Sequence, residues 1–467
     1  MNNRRSFEQY KRIMRFFSAL FLLALETNVF IYVWFRYYNQ ELRHPFQGKG
    51  NILMILVYVI LLCVFMAAFG GLKIGYMKKS HVILAQALSI VTMHIVVFVQ
   101  ILLISGKLYR LTFLLSVTLA MTAADIVIAA VCIQVFDWLY YKLFPPRRLL
   151  LVYQDWQPEA LVEKMHSRQD KFNICEFINI EKGFEKIRER IIEYDGVILF
   201  DLHARKRNHL LKFCYDQGIR TYTTPKISDI ILMHAEILHL FDTPLLLSRN
   251  FGLTVEQKLI KRMVDIVFSG AFLIIASPFM LLTAVAVKVY DRGPALFKQK
   301  RVTAGGKEFY VYKFRSMIVD AEKNGVAVLA KRNDSRITPV GKFIRTTRLD
   351  ELPQLWNVLK GDMSLIGPRP ERPELIEKYK VTMPEFTYRL KVKAGLTGYA
   401  QVYGKYNTTA YDKLKLDLMY IENYSLLMDI RIIFQTIKVV FMPESTEGVE
   451  EKAPDFENKK QNDINDK

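Results

Sequence analysis

Residues 264–290 read VDIVFSGAFLIIASPFMLLTAVAVKVY, and the way this stretch sits decides where the rest of the chain lies. It exceeds the ~20 apolar residues that span a bilayer. Ser277-Pro278 stands at its centre, and a proline there removes a helical hydrogen bond and kinks or breaks the helix. Two arrangements fit the apolarity equally: a kinked spanning helix, or a helix-break-helix that enters and leaves the membrane by one face. A full crossing would carry the charged remainder to the far side. The Lys261-Arg262 and Lys288–Arg292 charges at the two ends suit one cytoplasmic interface twice over, which favours the re-entrant form.

Working outward, four more apolar segments lie near 14–36, 51–70, 82–105 and 112–136. No small-residue cleavage site follows the first, so a signal peptide is disfavoured. Arg4, Arg5, Lys11 and Arg12 precede the first segment, Lys73, Lys78 and Lys79 follow the second, and Lys142, Arg147 and Arg148 follow the fourth. The opposite loops hold fewer cations, so the positive-inside rule puts both ends of the bundle in the cytoplasm. The expected fold class is a mixed membrane protein. A four-helix transmembrane bundle (1–145) precedes a Rossmann-like α/β module (146–250), read from short β-rich runs alternating with polar helical stretches. Its first turn, VYQDWQPEA, lacks the glycines of a dinucleotide site, so a scaffold or regulatory role is favoured. A C-terminal α/β catalytic domain (251–443) carries the re-entrant helix, and a polar tail (444–467) is expected to be disordered. Residues 426–442, LLMDIRIIFQTIKVVFM, suit an amphipathic helix on the membrane or core.

The formal charge of +19 asks for an anionic partner, whether nucleic acid, lipid headgroups or a phosphorylated substrate. Cys63, Cys132, Cys175 and Cys214 fall at no metal or redox spacing. After residue 250 there is no histidine and no cysteine. Chemistry in that half therefore relies on carboxylates, hydroxyls and cations, and any metal there would have oxygen ligands, favouring Mg²⁺ or Mn²⁺.

In EFYVYKFRSM the alternation predicts a strand on which Lys313 and Arg315 project together, a candidate anion site. In TRLDELPQLWNVLKGDMSLIGPRPERPE (347–374), Pro353 suits a first helical residue and Gly361 the residue past the end. Asp350 and Glu351 then sit at a helix entrance, where a capping role alone would explain them. Their company suggests more. Arg345, Arg348, Arg369 and Arg372 would over-neutralise two carboxylates unless a phosphate is shared among them. The carboxylate pair could also hold Mg²⁺, and the flanking Pro368 and Pro370 stiffen Arg369.

From about 258 to 440, the segments KRMVDIVFSG…ASPFML, FKQKRV, VYKFRSM, DSRITPVGKFIRTTRLDELPQLWNVLKGDMSLIGPRP and KAGLTGYAQV resemble the bacterial sugar transferases, monotopic polyprenyl-phosphate phosphoglycosyl transferases. With the preceding bundle and module, the chain is similar to their long form. The resemblance implies transfer of a sugar-1-phosphate from a UDP-sugar to polyprenyl phosphate at a membrane lipid surface, with release of UMP. It starts capsular, exopolysaccharide or O-antigen units at the bacterial inner membrane, with the catalytic domain cytoplasmic. By the same resemblance Asp350 is the nucleophile that forms a phosphosugar-aspartyl intermediate, and Glu351 assists it and Mg²⁺. Lys313, Arg345 and Arg369 correspond to phosphate-binding cations, and Ser277-Pro278 to the break in the re-entrant helix. Two positions depart from the usual pattern: Thr303 stands in place of a glycine and Ala394 in place of a proline.

Rival readings are a membrane sensor that binds nucleotide sugars without turnover, a nucleic-acid binder, and a glycosyltransferase releasing a nucleoside diphosphate. The Asp-Glu pair disfavours the first. Membrane embedding and the lack of a nucleic-acid module disfavour the second, so no nucleic-acid partner is expected. Stoichiometry is not fixed by the sequence, and a homo-oligomer stays open.

Overall fold

The structure is a computed structural model that describes residues 10–155, 158–240, 242–248, 252–319, 334–405 and 408–442. The expected disordered tail, 444–467, lies outside the described residues. The chain divides into two compact units, Met1–Lys226 and Ile227–Lys467.

In the first unit, α1 (Lys11–Val33) runs on through a π-helical turn, Trp34–Tyr38, to Asn39–Glu41. Helices α2 (Lys49–Phe69), α3 (Lys79–Ser105) and α4 (Leu111–Leu143) follow. Each is long and apolar enough to cross a membrane. Buried residues recur at helical spacing, as with Leu22, Glu26, Phe30 and Val33 on α1, so one stripe of every helix meets a shared core around Trp34, Tyr58, Met66, Ile90 and Ile133. The outward faces are apolar too, with Ile52 67% and Leu103 76% exposed. Water would penalise such faces and lipid would not.

Strands β1 (Arg147–Tyr153), β2 (Phe172–Asn179), β3 (Gly196–Phe200) and β4 (Arg220–Thr223) form a parallel sheet in the order β2-β1-β3-β4. Alternation along β1 sends Leu149 and Leu151 to one face and Leu150 and Val152 to the other. The first pair meets α5 (Glu159–His166), and the second meets α6 (Phe184–Ile192) and α7 (Ala204–Asp216). The β-α-β-α rhythm is thus realised as a small sheet covered on both faces.

The second unit begins at Ile227 rather than 251, because α8 (Ile227–Met233) buries Ile230 in the core that holds Leu414 and Leu418. A two-stranded antiparallel hairpin, β5 (Glu236–Leu238) with β6 (Leu245–Leu247), precedes α9 (Val255–Asp291). Thr254 and Gln257 close a capping box at the start of α9. Secondary structure does not break at Ser277-Pro278, where the helix continues and Ser277 Oγ donates to Ile274 O at 2.8 Å. Residues on both sides of Pro278 pack on the same unit. Lys261, Asp265 and Ser269 are buried before it, and Thr283 and Val287 after it, with Val287 against Phe314 and Ile344. Ile274, Ile275, Phe279, Leu281 and Leu282 stay exposed.

The charges at the N-terminal end of α9 do not serve a membrane interface as expected. Lys261 is buried against Asp429 at 2.6 Å, and Asp429 also accepts from Tyr420 at 2.8 Å. Arg262 caps the helix α11 (Gln354–Lys360) by donating to Val358 O and Leu359 O, both at 2.7 Å. Burial of a paired charge is tolerated where the geometry is good, and removing one partner is costly. Asp429→Ala is therefore expected to destabilise this unit by about 3–5 kcal/mol, whereas the paired change Lys261→Met with Asp429→Leu restores most of the loss. Thermal unfolding of the three variants in detergent checks this, and equal losses for single and paired changes would refute it.

The remaining elements are the hairpin β7 (Leu296–Val302) and β8 (Glu308–Phe314), α10 (Pro339–Thr346), β9 (Ser364–Ile366) parallel to β10 (Gly395–Thr397), α12 (Pro373–Thr382), α13 (Tyr399–Tyr403), α14 (Ala410–Glu422) and α15 (Leu426–Val440). Helix α15 is amphipathic with its polar side inward. Asp429, Gln435 and Lys438 are buried, while Leu427 (77%) and Phe441 (62%) just beyond its end are exposed.

Candidate active site

Helix α10 ends at Thr346, and the chain turns through Arg348, held at φ +59°, into a 3-10 turn, Leu349–Glu351, that leads into α11. Arg348 in the left-handed region makes the turn tight. Pro353 precedes α11, and Gly361 closes it at φ +98°, near the expected boundaries. The turn uses backbone amides at the helix entrance, since Glu351 N donates to Arg348 O and Leu352 N to Leu349 O, both at 3.3 Å.

Glu351, 14% exposed, accepts from Lys313 Nζ at 3.1 Å and Arg369 Nη2 at 2.8 Å on one oxygen, Oε1. Burial pushes its carboxyl up, but Arg369, Lys313 and Arg348 outweigh burial and hold it far below the usual range. Asp350 behaves oppositely. Burial and then the Glu351 charge raise it to about 6, against the pull of Lys313, Arg345 and Arg348. Its Oδ1 is buried with no hydrogen-bond partner. Two adjacent carboxylates are thus driven apart, one locked as a paired anion and the other left poised.

Lys313 reaches this site because Asn357 clips β8 to α11, donating to Tyr310 O at 2.8 Å and accepting from Tyr312 N at 3.1 Å. Arg315 does not join it. The residue lies past the end of β8 and pairs with Asp291 at the end of α9, so the predicted common face is lost where the strand stops. Arg345 and Arg348 act on Asp350 as charges, while Arg372 acts on Arg301. Pro368 O accepts from Gly395 N at 2.9 Å, and Gly367 N donates to Thr397 O at 2.9 Å. A Cβ on Gly367 would lie 2.3 Å from Lys393 O, so only glycine permits this approach. Two arginines unforeseen in the sequence brace the same loop. Arg301 donates to Pro370 O and Arg389 to Arg369 O, each at 3.0 Å, and Arg389 pairs with buried Asp417 at 2.8 Å. Cations buried behind a Pro-Arg-Pro turn carry no sequence spacing of their own. The loop they hold leaves Arg369 41% exposed.

A family profile described as Bacterial sugar transferase matches residues 256–443. A UDP-N-acetylgalactosamine-undecaprenyl-phosphate N-acetylgalactosaminephosphotransferase of Aeromonas hydrophila is 35% identical over 324 residues, 67% of this chain and 71% of that protein. The chain belongs to the bacterial sugar transferase family. A UDP-glucose:undecaprenyl-phosphate glucose-1-phosphate transferase of Klebsiella pneumoniae is 41% identical over 214 residues, 45% of this chain and 44% of that protein. An undecaprenyl-phosphate galactose phosphotransferase of Salmonella typhimurium is 35% identical over 302 residues, 58% and 62% of the two chains. The three names carry three different sugars.

The two positions at which this bacterial sugar transferase departs from the usual pattern touch each other. Ala394 N donates to Thr303 Oγ1 at 3.1 Å, and Thr303 Oγ1 donates to Asp362 O at 3.0 Å. A proline at 394 would have no N–H to satisfy, and a glycine at 303 no hydroxyl to offer. Both residues line the pocket beside Pro368, Arg369 and Arg389. Thr303→Gly alone should cost about 1 kcal/mol or more by orphaning a buried amide, and Ala394→Pro in the same chain should recover part of it. A double-mutant cycle by thermal unfolding measures the coupling, and strict additivity would argue against it.

Mg²⁺ fits this site in chemistry. The donors are hard carboxylate oxygens, and Asp350 Oδ1 is a buried oxygen lacking any partner. Among the described residues no third carboxylate, His or Cys joins Asp350 and Glu351 in a metal-binding group. Phosphate oxygens and water would have to complete the shell.

Proposed function

We propose that this enzyme, a polyprenyl-phosphate sugar-1-phosphate transferase, takes its sugar-1-phosphate from a UDP-sugar, passes it through a phosphosugar-aspartyl intermediate on Asp350, and releases UMP. The observation that carries the reading is the division of labour between neighbours. Glu351 is neutralised by Lys313 and Arg369, while Asp350 keeps a partnerless oxygen and a pKa near neutrality.

An Asp350 oxygen attacks the phosphorus that bears the sugar. The bond to the bridging oxygen breaks, and its electron pair leaves with UMP. An oxygen of polyprenyl phosphate then attacks the same phosphorus and returns the carboxylate. Neither step needs a base, since attacker and acceptor are already anions, in keeping with the absence of histidine from this half. Lys313, Arg345, Arg348 and Arg369 stabilise charge on the phosphoryl oxygens, and the braced loop holds Arg369 in place before substrate arrives. Mg²⁺ held by Asp350 and Glu351 would supply further neutralisation of the diphosphate.

The exposed apolar surface supports a membrane placement. Four N-terminal helices cross the inner membrane, and α9 enters and leaves by the cytoplasmic face. Packing of residues on both sides of Pro278 against one unit supports the re-entrant reading, because a full crossing would carry Asp429 and Ser364 to the far side, away from Lys261 and Asp265. The outward apolar residues of α9 and α15, with Trp356 and Phe343 beside the catalytic turn, give lipid a surface to meet.

The test is a turnover assay on purified membranes or protein in lipid, with polyprenyl phosphate, Mg²⁺ and a panel of UDP-sugars. UMP is the expected product, and chelation should lower the rate by roughly 10²-fold or more. Release of UDP would point to glycosidic transfer instead, and silence across the panel with folded protein would leave the sensor reading standing.

A further inference from the structure

Away from the catalytic unit, the bundle carries polar side chains where its length places mid-membrane. Glu26 on α1, Tyr58 on α2, His94 on α3 and Asp125 on α4 each lie near the middle of their helix and are at most 1% exposed. All four helices thus contribute one group to the same depth. Between Arg15 and Arg36, Lys49 and Lys73, Lys79 and Lys107, and Arg110 and Lys142 the sequence contains no Lys or Arg. No lysine or arginine of these stretches can pair with the two acids.

We propose that Glu26, Tyr58, His94 and Asp125 form a proton-binding site inside the bundle, a reading that rests on the bundle crossing the membrane and is independent of the catalytic chemistry. The hydrogen bonds assign the imidazole first. Thr122 Oγ1 donates to Thr118 O at 2.7 Å, so it accepts from His94 Nδ1 at 2.8 Å. His94 Nε2 then faces Tyr58 Oη at 3.2 Å and Asp125 Oδ2 at 3.4 Å. A bare nitrogen lone pair opposite a bare carboxylate would repel. A proton therefore lies between them, carried by the imidazole, by the acid or by the Tyr58 hydroxyl.

Glu26 requires a second proton. Its residue is fully buried, and neither carboxylate oxygen has a hydrogen-bond partner. It lies close enough to Asp125 for their charges to interact, and both act on Tyr58. An ionised, unpaired carboxylate in such a place costs several kcal/mol, and the usual outcome is that the group takes up a proton. Tyr38 and Cys132 are the other titratable groups nearby. Tyr38 bonds Thr118 Oγ1 at 2.7 Å, and Cys132 lies within the field of Glu26. Among the described residues no metal-binding group of three His, Cys, Asp or Glu forms here, which disfavours a divalent ion.

Infrared spectroscopy of the full chain in lipid nanodiscs tests the site without requiring a reagent to reach it. The wild type is expected to show a protonated-carboxyl carbonyl band at neutral pH, and Glu26→Gln should remove a component of that band. Glu26→Gln should also unfold at a temperature equal to or above that of the wild type, because an amide imitates the neutral acid. If Asp125→Asn fails to fold, the Glu26→Gln spectrum and melting curve still decide. A band unaltered by Glu26→Gln overturns the proposal. So does a band that disappears when Na⁺ or K⁺ is added at constant pH, because a cation would then be the occupant.

Discussion

Asp350→Asn is expected to lower turnover by roughly 10⁴-fold or more, abolish the protein-bound phosphosugar seen with donor alone, and make the folded protein more stable at alkaline pH. The three results have one source. Asparagine keeps the shape of the side chain but supplies no anionic oxygen to attack phosphorus. The stability gain arises because burial and Glu351 raise the native Asp350 carboxyl to about 6, above the 3.8 expected of an unperturbed group. A raised carboxyl means the ionised form is destabilised by folding. At pH 8 the wild type pays on the order of 2–3 kcal/mol for that charge. The penalty fades as pH falls from 6 to 3.8, and below that the group is protonated in both states. Melting curves of wild type and Asp350→Asn in detergent, with chelator present, should therefore separate at pH 8 and draw together as pH falls below 4. Wild-type turnover in the variant would remove Asp350 from the chemistry, and a gap in stability that widens toward acid would contradict the assigned environment.

The turn carrying Asp350 and Glu351 is legible in sequence because its constraints are local. Pro353, Gly361 and the Pro368-Arg369-Pro370 run each fix backbone geometry within a few residues. Glu351 was readable as an acid at a helix entrance, yet its partners, Lys313 and Arg369, lie 38 and 18 positions away and meet only through the fold. Arg315 shows the converse. Period-two alternation places it beside Lys313, but β8 ends at Phe314 and the next residue follows a different course to Asp291. Lys261 and Arg262 were misread for a related reason. A cation beside an apolar run looks like an interfacial anchor, and nothing nearby reveals Asp429, 168 positions on, or the carbonyls of Val358 and Leu359. Apolar content located the five long helices, because length and composition suffice for that. The course of α9 depends on which residues pack on either side of Pro278, information that hydropathy does not contain.

Glu351→Gln should separate charge from shape at the neighbouring position. In the wild type one carboxylate oxygen holds both Lys313 and Arg369, so two cations share an anion that is not the attacking one. An amide cannot balance them. Asp350 is then the nearest carboxylate, and the two cations turn toward it. The like-charge neighbour that raises Asp350 is lost as well, so its titration must shift to lower pH. Two effects on rate follow. The plateau of kcat/KM should fall by roughly 10²–10³-fold, because a nucleophile engaged by two cations is less available and Arg369 is drawn from its place at the phosphate. The acid limb, near pH 6 in the wild type if ionised Asp350 must attack, should move toward lower pH. A variant that merely folded poorly would lose activity at every pH and keep the limb where it was. Stability adds a third reading: removing one member of a largely buried ion cluster typically costs about 3–5 kcal/mol, so Glu351→Gln should melt below the wild type while Asp350→Asn melts above it at pH 8. Opposite shifts from adjacent carboxylates are what their different environments require, and shifts of the same sign would show that the two side chains share one role.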